Sequence, residues 1–435
     1  MSIINIIGGG LAGCEACWQL AKRGYNVRLF EQKPVKFSEA HSLAGLCELV
    51  CSNSLKSNAI TGACGLLKEE MRRLDSLTIK CADETKVGAG GALAVDREKY
   101  SQLVTDKINA LENVEIIYGE VTEIPDGITI IATGPLTSGT LYENIMKLTG
   151  GDLHFFDAAS PIVKFDSVDM NSAFFQDRYD KGDGDGDYLN LPMDKEEYQN
   201  FYQNLINAER AELHEFEKKE IFESCMPIEI MASRGEDTIR FGPLKPVGLR
   251  DRNGNRPYAV VQMRKENSKG DLYNMVGFQT NLKFGEQKRV FSMIPALKNA
   301  EFVKYGVMHR NSYINAPNLL DNGVKFKNAE NLYFAGQITG VEGYVESAMS
   351  GLLAGLAIHQ MLSGSSQISF NNQTMIGALV GYISTNNQNF QPMNANFGIL
   401  DMIEYKMIRN KKERYEQAAN RSLAIIEKIK VEYNL

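Results

Sequence analysis

The N-terminal stretch Ile3-Ile-Asn-Ile-Ile-Gly-Gly-Gly-Leu-Ala-Gly13 decides the fold of this chain. Its apolar run predicts a buried strand, and the apolar residues from Cys14 to Lys22 recur at helical spacing up to Gly24. A second apolar run, from Asn26 to Glu31, predicts another strand. Strand, glycine turn, helix and strand in this order are typical of the start of a parallel, doubly wound sheet.

The glycines of this turn have the spacing of a dinucleotide-binding motif. Gly8 permits a tight turn, Gly10 lets the backbone approach a pyrophosphate, and Gly13 lets the helix pack against the strand. The helix N-terminus offers free N–H groups to the phosphates. Glu31 ends the second strand, 18 residues after Gly13, where its carboxylate can accept hydrogen bonds from ribose hydroxyls. The residues predicted to bind the dinucleotide here are Gly8, Gly9, Gly10, Leu11, Ala12, Gly13 and Glu31.

The C-terminal third repeats this pattern and favours FAD over NAD. A strand-like run from Asn331 to Ala335 ends at Gly336, and a helix is predicted from Glu342 to Leu362. The partial positive charge of a second helix N-terminus can face the electron-rich O2 edge of a flavin. The run from Thr129 to Thr133 closes at Gly134, like a corresponding strand of flavoproteins. The residues predicted to contact FAD in these parts are Gly134, Gly336, Gly340, Glu342, Gly343 and Tyr344.

The middle of the chain has a different pattern. It mixes strand-like runs with a predicted hairpin turn at Asn253-Gly254 and one long helical pattern from Lys195 to Lys218. The predicted fold class is therefore α/β: a Rossmann-like FAD-binding domain on a parallel sheet, with an inserted α+β domain. We expect residues 1–156 and 301–435 to form the FAD-binding domain, with C-terminal helices in its second part, and residues 157–300 to form a substrate and RNA domain.

Helical spacing also predicts two features outside the insert. One is a single amphipathic helix from Ala63 to Leu77. The other is a largely helical C-terminus from Thr374 onwards, interrupted only from Gln391 to Gly398.

Composition excludes some classes of protein. The 435 residues are 43% hydrophobic, and no apolar run approaches the roughly 18 residues of a membrane span. The N-terminus enters a strand pattern without a basic segment or cleavage site, so we expect a cytoplasmic protein. The formal net charge of −7 speaks weakly against a nucleic-acid partner. The basic run from Lys406 to Arg414 could still contact RNA, or could be one solvated face of a helix.

The cysteines and acidic residues do not predict a metal site. The seven cysteines are an odd number and include a single C-x2-C pair, Cys14 and Cys17, without a second pair, which argues against a zinc site or a disulfide framework. The acidic run from Asp183 to Asp187 begins like a calcium loop, but Tyr188 stands where the loop needs glycine. Cys51 and Cys225 lie in polar, turn-like surroundings that favour a reactive thiolate. A packed, inert thiol is the alternative for each.

Several long segments together resemble the folate- and FAD-dependent tRNA (uracil-5-)-methyltransferase family, nearly from end to end. They are Gly8–Gly13, Glu48-Leu-Val-Cys-Ser-Asn-Ser-Leu-Lys-Ser-Asn58, Gly90-Gly-Ala-Leu-Ala-Val-Asp-Arg97, Ala132-Thr-Gly-Pro-Leu-Thr137, Cys225-Met-Pro-Ile-Glu229, Gly306-Val-Met-His-Arg-Asn311, Phe334–Gly355 and Phe390-Gln-Pro-Met-Asn-Ala-Asn-Phe397.

The resemblance implies a specific reaction. The methylene carbon of 5,10-methylenetetrahydrofolate would pass to C5 of a uridine in the T arm of tRNA, and reduced FAD, regenerated by NADPH or NADH, would reduce it to methyl. Carried over by motif, Cys225 would be the nucleophile that adds to uracil. Cys51 would assist near the flavin, as a base or by protecting the methylene adduct.

Other functions remain open at the level of sequence. The same chemistry on a ribosomal RNA uridine would leave the same motifs. A plain NAD(P)H flavin oxidoreductase with inert cysteines, or a non-catalytic flavin-binding RNA protein, would share the glycine turns alone. A related branch that modifies the tRNA wobble uridine with a GTPase partner is longer than this chain.

Overall fold

The computed structural model describes residues 3–38, 40–151, 153–178, 186–211, 226–388 and 390–435. Its strands are β1 (Ile4–Ile7), β2 (Val27–Glu31), β3 (Ser54–Ser57), β4 (Lys86–Val87), β5 (Ala92–Val95), β6 (Val114–Tyr118), β7 (Thr129–Ile131), β8 (Leu153–Ala158), β9 (Ile162–Lys164), β10 (Phe174–Phe175), β11 (Tyr188–Met193), β12 (Ala259–Lys265), β13 (Leu272–Met275), β14 (Phe302–Lys304), β15 (Met308–Tyr313) and β16 (Leu332–Phe334). Its helices are α1 (Leu11–Ala21), α2 (Ala63–Arg73), α3 (Leu77–Glu84), α4 (Arg97–Asn109), α5 (Gly139–Thr149), α6 (Lys195–Ile206), α7 (Ile228–Ala232), α8 (Glu236–Phe241), α9 (Phe284–Phe291), α10 (Ala316–Leu319), α11 (Tyr344–Ser363), α12 (Met375–Ser384) and α13 (Lys411–Tyr433).

A parallel sheet with the strand order β16-β7-β1-β2-β6 organises the first unit. All four residues of β1 are buried, as expected for a central parallel strand covered on both faces. Helices α1 and α11 pack closely, because a Cβ at Gly351 would lie 2.0 Å from the carbonyl oxygen of Ala12. The predicted α/β class with a Rossmann-like parallel sheet is therefore confirmed.

The second unit is built on an antiparallel sheet with the order β10-β11-β12-β13-β9-β14. Its central strand β12 is buried over six of its seven residues. Helix α6 begins at a capping box, in which Asp194 accepts the N–H of Glu197 and Glu197 accepts the N–H of Asp194. The unit thus contains both helices and antiparallel strands, as the predicted α+β class requires.

The two units have separate hydrophobic cores. The buried residues of the first core come from residues 4–145 and 313–429, and those of the second from residues 163–300. Between them, β8 pairs with β15 as a two-stranded antiparallel ribbon. The predicted boundaries at residues 157 and 300 stay a prediction.

Two predicted helices end earlier than expected. The predicted helix from Ala63 to Leu77 is wrong as a single element: α2 ends at Arg73, and Ser76 caps α3 by accepting the N–H of Ile79. The helix predicted from Lys195 to Lys218 ends at Ile206, and its last seven residues, 212–218, lie outside the described residues. After α6, Arg210 forms an isolated antiparallel bridge with Leu282, and the N–H of Ala211 donates to the carbonyl oxygen of Asn281 at 2.8 Å.

Two further predictions are corrected. Asn253-Gly254 forms a turn, in which the side chain of Asp251 accepts the N–H groups of Asn253 and Asn255, but it does not join two paired strands. Strand β12 pairs instead with β11, so the predicted hairpin is wrong. At the C-terminus, residues 399–410 contain only a short 3-10 helix, Ile403–Tyr405, between α12 and α13.

Within the described ranges, no helix is long and apolar enough to cross a membrane. The same residues contain no group of three or more His, Cys, Asp or Glu side chains placed to hold a metal ion.

Candidate active site

The first cavity lies where β1 meets α1. The turn residues Gly8 to Ala12 line it together with Glu31, Gly134, Gly336 and Tyr344. The carboxyl ends of parallel strands and the N-terminus of α1 therefore meet at one cavity, which is the usual place for a ligand in this class of fold.

Each glycine of the turn meets a different steric requirement. Gly8 has φ +107°, a conformation that a residue with a side chain rarely adopts. A Cβ at Gly13 would lie 1.8 Å from the carbonyl oxygen of Gly8, so only glycine lets α1 approach β1 here. At Gly10, no described atom would lie within 4 Å of a Cβ, and Gly10 itself lines the cavity. Its missing side chain therefore leaves room for a ligand.

The buried carboxylate of Glu31 is held in place by backbone donors. Oε2 accepts the N–H of Gly9 at 2.9 Å, and Oε1 accepts the N–H of Lys33 at 2.9 Å. A carboxylate has about four lone-pair sites, so both oxygens can accept further hydrogen bonds from ribose hydroxyls.

The second helix N-terminus reaches the same cavity. Gly336 and Gly343, with φ +88° and +118°, shape the turns before α11, and Tyr344 begins the helix. Two helix N-termini therefore reach this cavity, and the Glu31 carboxylate at the end of β2 lines it. A long cofactor with two phosphates and a ribose needs such groups. The residues present fit FAD.

A second cavity continues from the first, since Tyr344, Gln337 and Pro135 line both. Its volume is about 280 Å³. Its walls come from separate segments of the chain between Val50 and Asn394. The polar residues that line it are Cys51, Ser52, Ser54, Lys56, Gln279, Asn311, Gln337, Glu342, Tyr344, Glu346 and Asn394.

Cys51 lines the second cavity and contacts the hydroxyl of Tyr344, which lines both cavities. The Tyr344 oxygen accepts the N–H of Cys51 at 2.8 Å and that of Ser52 at 3.2 Å, and lies 2.9 Å from Cys51 Sγ. A phenol oxygen has two lone pairs, and the two N–H groups occupy both. The hydroxyl proton is therefore directed to Sγ, and Tyr344 donates to the sulfur. Burial, followed by the contact with Cys51, raises the pKa of Tyr344 well above its usual value, so the phenol keeps this proton.

The turn that carries Cys51 is held from both units. Arg264, on strand β12 of the second unit, donates from Nη2 to Ser52 Oγ and from Nε to Asn53 Oδ1, both at 2.9 Å. Arg97 Nη1 donates to the carbonyl oxygens of Leu49 at 2.9 Å and Val50 at 3.3 Å. Sequence reasoning left Arg264 without a role, because its partners are about 210 residues away in the chain.

The remaining described cysteines are packed thiols. Cys14, Cys17, Cys47, Cys64 and Cys81 are all buried. Burial raises the pKa of Cys64 to about 11 and that of Cys81 to about 12, which keeps both protonated at neutral pH. Cys225, the predicted nucleophile, lies outside the described residues.

Most predicted cofactor residues line one of the two cavities. Among the described residues, Gly13 and Gly340 line neither, because Gly13 packs on Gly8 and a Cβ at Gly340 would meet the Phe390 ring at 2.4 Å. Glu342 and Gly343 line the second cavity rather than the first.

Sequence reasoning missed a buried ion pair in the first cavity. Lys33 Nζ lies 3.3 Å from Oε2 of Glu48, and both side chains are only 4% exposed. Burial opposes ionisation of Glu48, but the N–H groups of Ser42 and Leu43 and the Lys33 ammonium outweigh it and lower the Glu48 pKa. Glu48 is the first residue of the segment from Glu48 to Asn58, which carries part of the family resemblance, and this position was the signal in the sequence that Glu48 has a role.

Comparison with known proteins gives a consistent result. A family model described as glucose inhibited division protein A matches residues 3–366. The methylenetetrahydrofolate–tRNA-(uracil-5-)-methyltransferase TrmFO of Acetivibrio thermocellus is 58% identical over 435 residues, 99% of both chains. The TrmFO of Bacillus subtilis is 56% identical over 429 residues, 98% of both chains. The structure of Aquifex aeolicus GidA is similar in fold, with a TM-score of 0.70 at 16% identity, over 98% of this chain and 73% of that one.

Proposed function

This chain belongs to the glucose-inhibited division protein A family and, within it, to the TrmFO methyltransferases, and on that premise we propose that it methylates a tRNA uridine at C5. The carbon comes from 5,10-methylenetetrahydrofolate, and the acceptor is in the T arm. The observation that carries the proposal is the pair formed by Cys51, which lines the second cavity, and Tyr344, which lines both the second cavity and the dinucleotide cavity.

The first cavity holds FAD. Glu31 accepts hydrogen bonds from the ribose, and Gly8 to Ala12 place the N-terminus of α1 at the pyrophosphate. When bound and reduced, the flavin supplies the two electrons that convert the transferred methylene carbon to methyl. NADPH or NADH is the proposed source of those electrons.

The overall reaction balances without another reactant. Methylenetetrahydrofolate, reduced flavin and uridine give tetrahydrofolate, oxidised flavin and 5-methyluridine. C5 of uracil is a weak nucleophile until a thiolate adds to C6, so the protein must supply a reactive cysteine. It must also supply a base for the C5 proton, which leaves before the thiolate is released from C6.

Cys225 is the proposed nucleophile. The residues that follow it support the proposal: Met226 is buried, and the N–H of Ile228 donates to the carbonyl oxygen of Gln279 at 2.7 Å. Gln279 lines the second cavity together with Cys51. Ile228, three residues after Cys225, is therefore bonded to a residue in the wall of this cavity.

Cys51 is the proposed base. The Tyr344 hydroxyl donates to its sulfur and thereby favours the thiolate, which can accept the C5 proton. The backbone bonds from Cys51 and Ser52 to the same hydroxyl fix the position of the sulfur. The alternative role for Cys51, protection of the methylene carbon, requires the same thiolate.

Methyl transfer to defined RNAs tests the proposal. The FAD-loaded protein, given NADPH and methylenetetrahydrofolate labelled in its one-carbon unit, should label an unmodified tRNA transcript at C5 of a T-arm uridine. A ribosomal RNA fragment in parallel should stay unlabelled, and labelling of that fragment alone would favour the ribosomal alternative. NADPH oxidation without labelling of either RNA would favour a plain flavin oxidoreductase.

A cysteine variant tests the nucleophile. Cys225→Ala should abolish transfer and any covalent protein–RNA adduct while FAD stays bound. The matched control is Cys81→Ala, since Cys81 is fully buried and lines neither cavity among the described residues. Full transfer by Cys225→Ala would refute the assignment.

A further inference from the structure

One wall of the second cavity contains the buried carboxylate of Glu346. Within the described structure, one of its two oxygens accepts a hydrogen bond and the other accepts none. The Glu346 side chain is 0% exposed. Its Oε1 accepts the N–H of Ala395 at 2.9 Å. No described residue donates a hydrogen bond to Oε2. An acceptor left unsatisfied in the interior is costly, so a native structure that keeps one needs a reason.

Helix capping does not explain this arrangement. Glu346 is the third residue of α11, a position from which a glutamate often accepts the backbone N–H of the residue that caps the helix. Oε2 makes no such bond within the described structure. Among the described residues, Lys56 forms an ion pair with Glu346, but its Nζ lies 3.8 Å from Oε1, beyond hydrogen-bond distance, and its side chain is 48% exposed.

Gly343 leaves open the space beside the free oxygen. A Cβ at Gly343 would lie 2.4 Å from Glu346 Oε2 and 3.2 Å from Lys56 Nζ. Gly343, Glu346 and Lys56 all line the second cavity. With any other residue at position 343, a side chain would cover Oε2 on this side.

We propose that Glu346 binds the pterin ring of methylenetetrahydrofolate by accepting hydrogen bonds from its 2-amino group and N3–H. The inference rests on the proposed function and names the recognition group for its folate. The pterin edge presents two neighbouring N–H donors, and a carboxylate is the acceptor that binds such an edge most strongly. The Lys56 side chain is 48% exposed, so it has room to move aside for the ring.

The other substrates of the reaction fit this carboxylate poorly. Uracil offers one N–H between two carbonyl oxygens, and a carboxylate repels both. The carboxamide of a nicotinamide offers one amino group beside a carbonyl oxygen. Of the three, only the pterin edge presents donors alone.

The placement also suits the chemistry. Glu346 lies in the first turn of α11, two residues after Tyr344, which lines both cavities. A ring anchored at Glu346 is therefore held in the cavity that Cys51 lines, next to the dinucleotide cavity. Leu55 and Val345 supply apolar wall in the same cavity for a flat ring.

Binding of tetrahydrofolate to the FAD-loaded protein tests the proposal, with the change in flavin absorbance as readout. Glu346→Gln replaces one acceptor oxygen by an amide donor and should weaken binding by at least about tenfold. The matched control is Glu70→Gln, which alters a fully buried carboxylate that lines neither cavity in the described part of the chain and should leave the affinity unchanged.

A second measurement covers a variant that fails to fold. The wild-type protein should bind a tetrahydrofolate analogue that lacks the 2-amino group at least about tenfold more weakly, and Glu346→Gln should discriminate little between the two ligands. Equal tetrahydrofolate affinity of wild type and Glu346→Gln, while the wild type still methylates tRNA, would overturn this inference and leave the proposed function intact. A wild-type protein that neither binds tetrahydrofolate nor methylates tRNA would overturn both.

Discussion

Replacing Tyr344 by phenylalanine tests the link between structure and thiol reactivity most directly. The variant removes one hydroxyl and keeps the ring. The lost donor lies 2.9 Å from Cys51 Sγ, and a hydrogen bond to a charged group contributes about 1.5–3 kcal/mol. Since about 1.4 kcal/mol corresponds to a factor of ten, the thiolate fraction of Cys51 should fall about 10- to 100-fold at neutral pH.

The assay is the rate of alkylation of Cys51 by iodoacetamide in the FAD-loaded protein. A Cys225→Ala background removes the other candidate reactive thiol, and peptide mass spectrometry identifies the modified residue. The thiolate is the reacting form, so at fixed pH the rate should fall by the same factor as the thiolate fraction. The decrease should shrink as the pH is raised, because deprotonation then no longer depends on Tyr344.

A change in the position of the loop could also slow alkylation, and Arg264→Met separates the two effects. This variant removes the bonds to Ser52 and Asn53 but leaves the Tyr344 hydroxyl at Sγ. It should therefore alter the rate by a factor that does not depend on pH. An alkylation rate in Tyr344→Phe equal to that of the parent at every pH would refute the assignment of the hydroxyl proton to the sulfur.

Further predictions concern the dinucleotide turn and stability. Gly13→Ala should destabilise the protein by about 3 kcal/mol or more with or without FAD, because its Cβ would lie 1.8 Å from the Gly8 carbonyl oxygen; thermal unfolding measures this. Gly10→Ala should leave the unfolding temperature without FAD nearly unchanged but weaken FAD binding, measured by flavin release, since no described atom lies within 4 Å of the added Cβ. Glu31→Gln should weaken FAD binding about tenfold through a poorer acceptor for the ribose, measured by fluorescence titration. Burial raises the pKa of Glu70 from 4.5 to about 7, so its contribution to stability is present below about pH 4.5 and lost as the pH rises to about 7. Relative to Glu70→Gln, the wild type should lose up to about 3 kcal/mol over that range in denaturant unfolding, and parallel pH profiles would contradict this.

The parts of the site that the sequence could predict are local: Gly8 and Gly13 have the expected conformation and packing, and binding of a ribose by Glu31 stays a prediction. Gly8, Gly13 and Glu31 belong to one strand–helix–strand unit, and their roles follow from steric and electrostatic requirements within about 30 residues. Helix boundaries were less predictable. The pattern from Ala63 to Leu77 suggests one helix, but Asp75 adopts φ +60° and Ser76 caps a second one. The spacing of apolar residues does not show that one residue between them, Asp75, leaves the helical conformation.

The parts that the sequence could not predict depend on contacts between distant residues. Cys51 and Tyr344 are 293 positions apart, and no spacing rule connects them. The same holds for Arg264, a charged residue on a strand whose pattern predicts only that it is partly buried. Glu346 lies inside a quoted motif, but the sequence does not show that one of its oxygens is left without a donor.

The contacts that hold the Cys51 turn are of two kinds. Some fix the position of the thiol, and one acts on the sulfur itself. Arg97 binds backbone carbonyl oxygens before Cys51, and Arg264 binds the two side chains after it. Neither is shown to contact the sulfur, so each fixes where the thiol lies. Tyr344 alone among these three binds both the backbone of the turn and Sγ. Because Tyr344 is also the first residue of α11 and lines both cavities, its hydroxyl connects the N-terminus of this helix to the sulfur. The two arginines therefore set the position of the thiol, and the Tyr344 hydroxyl sets its chemistry.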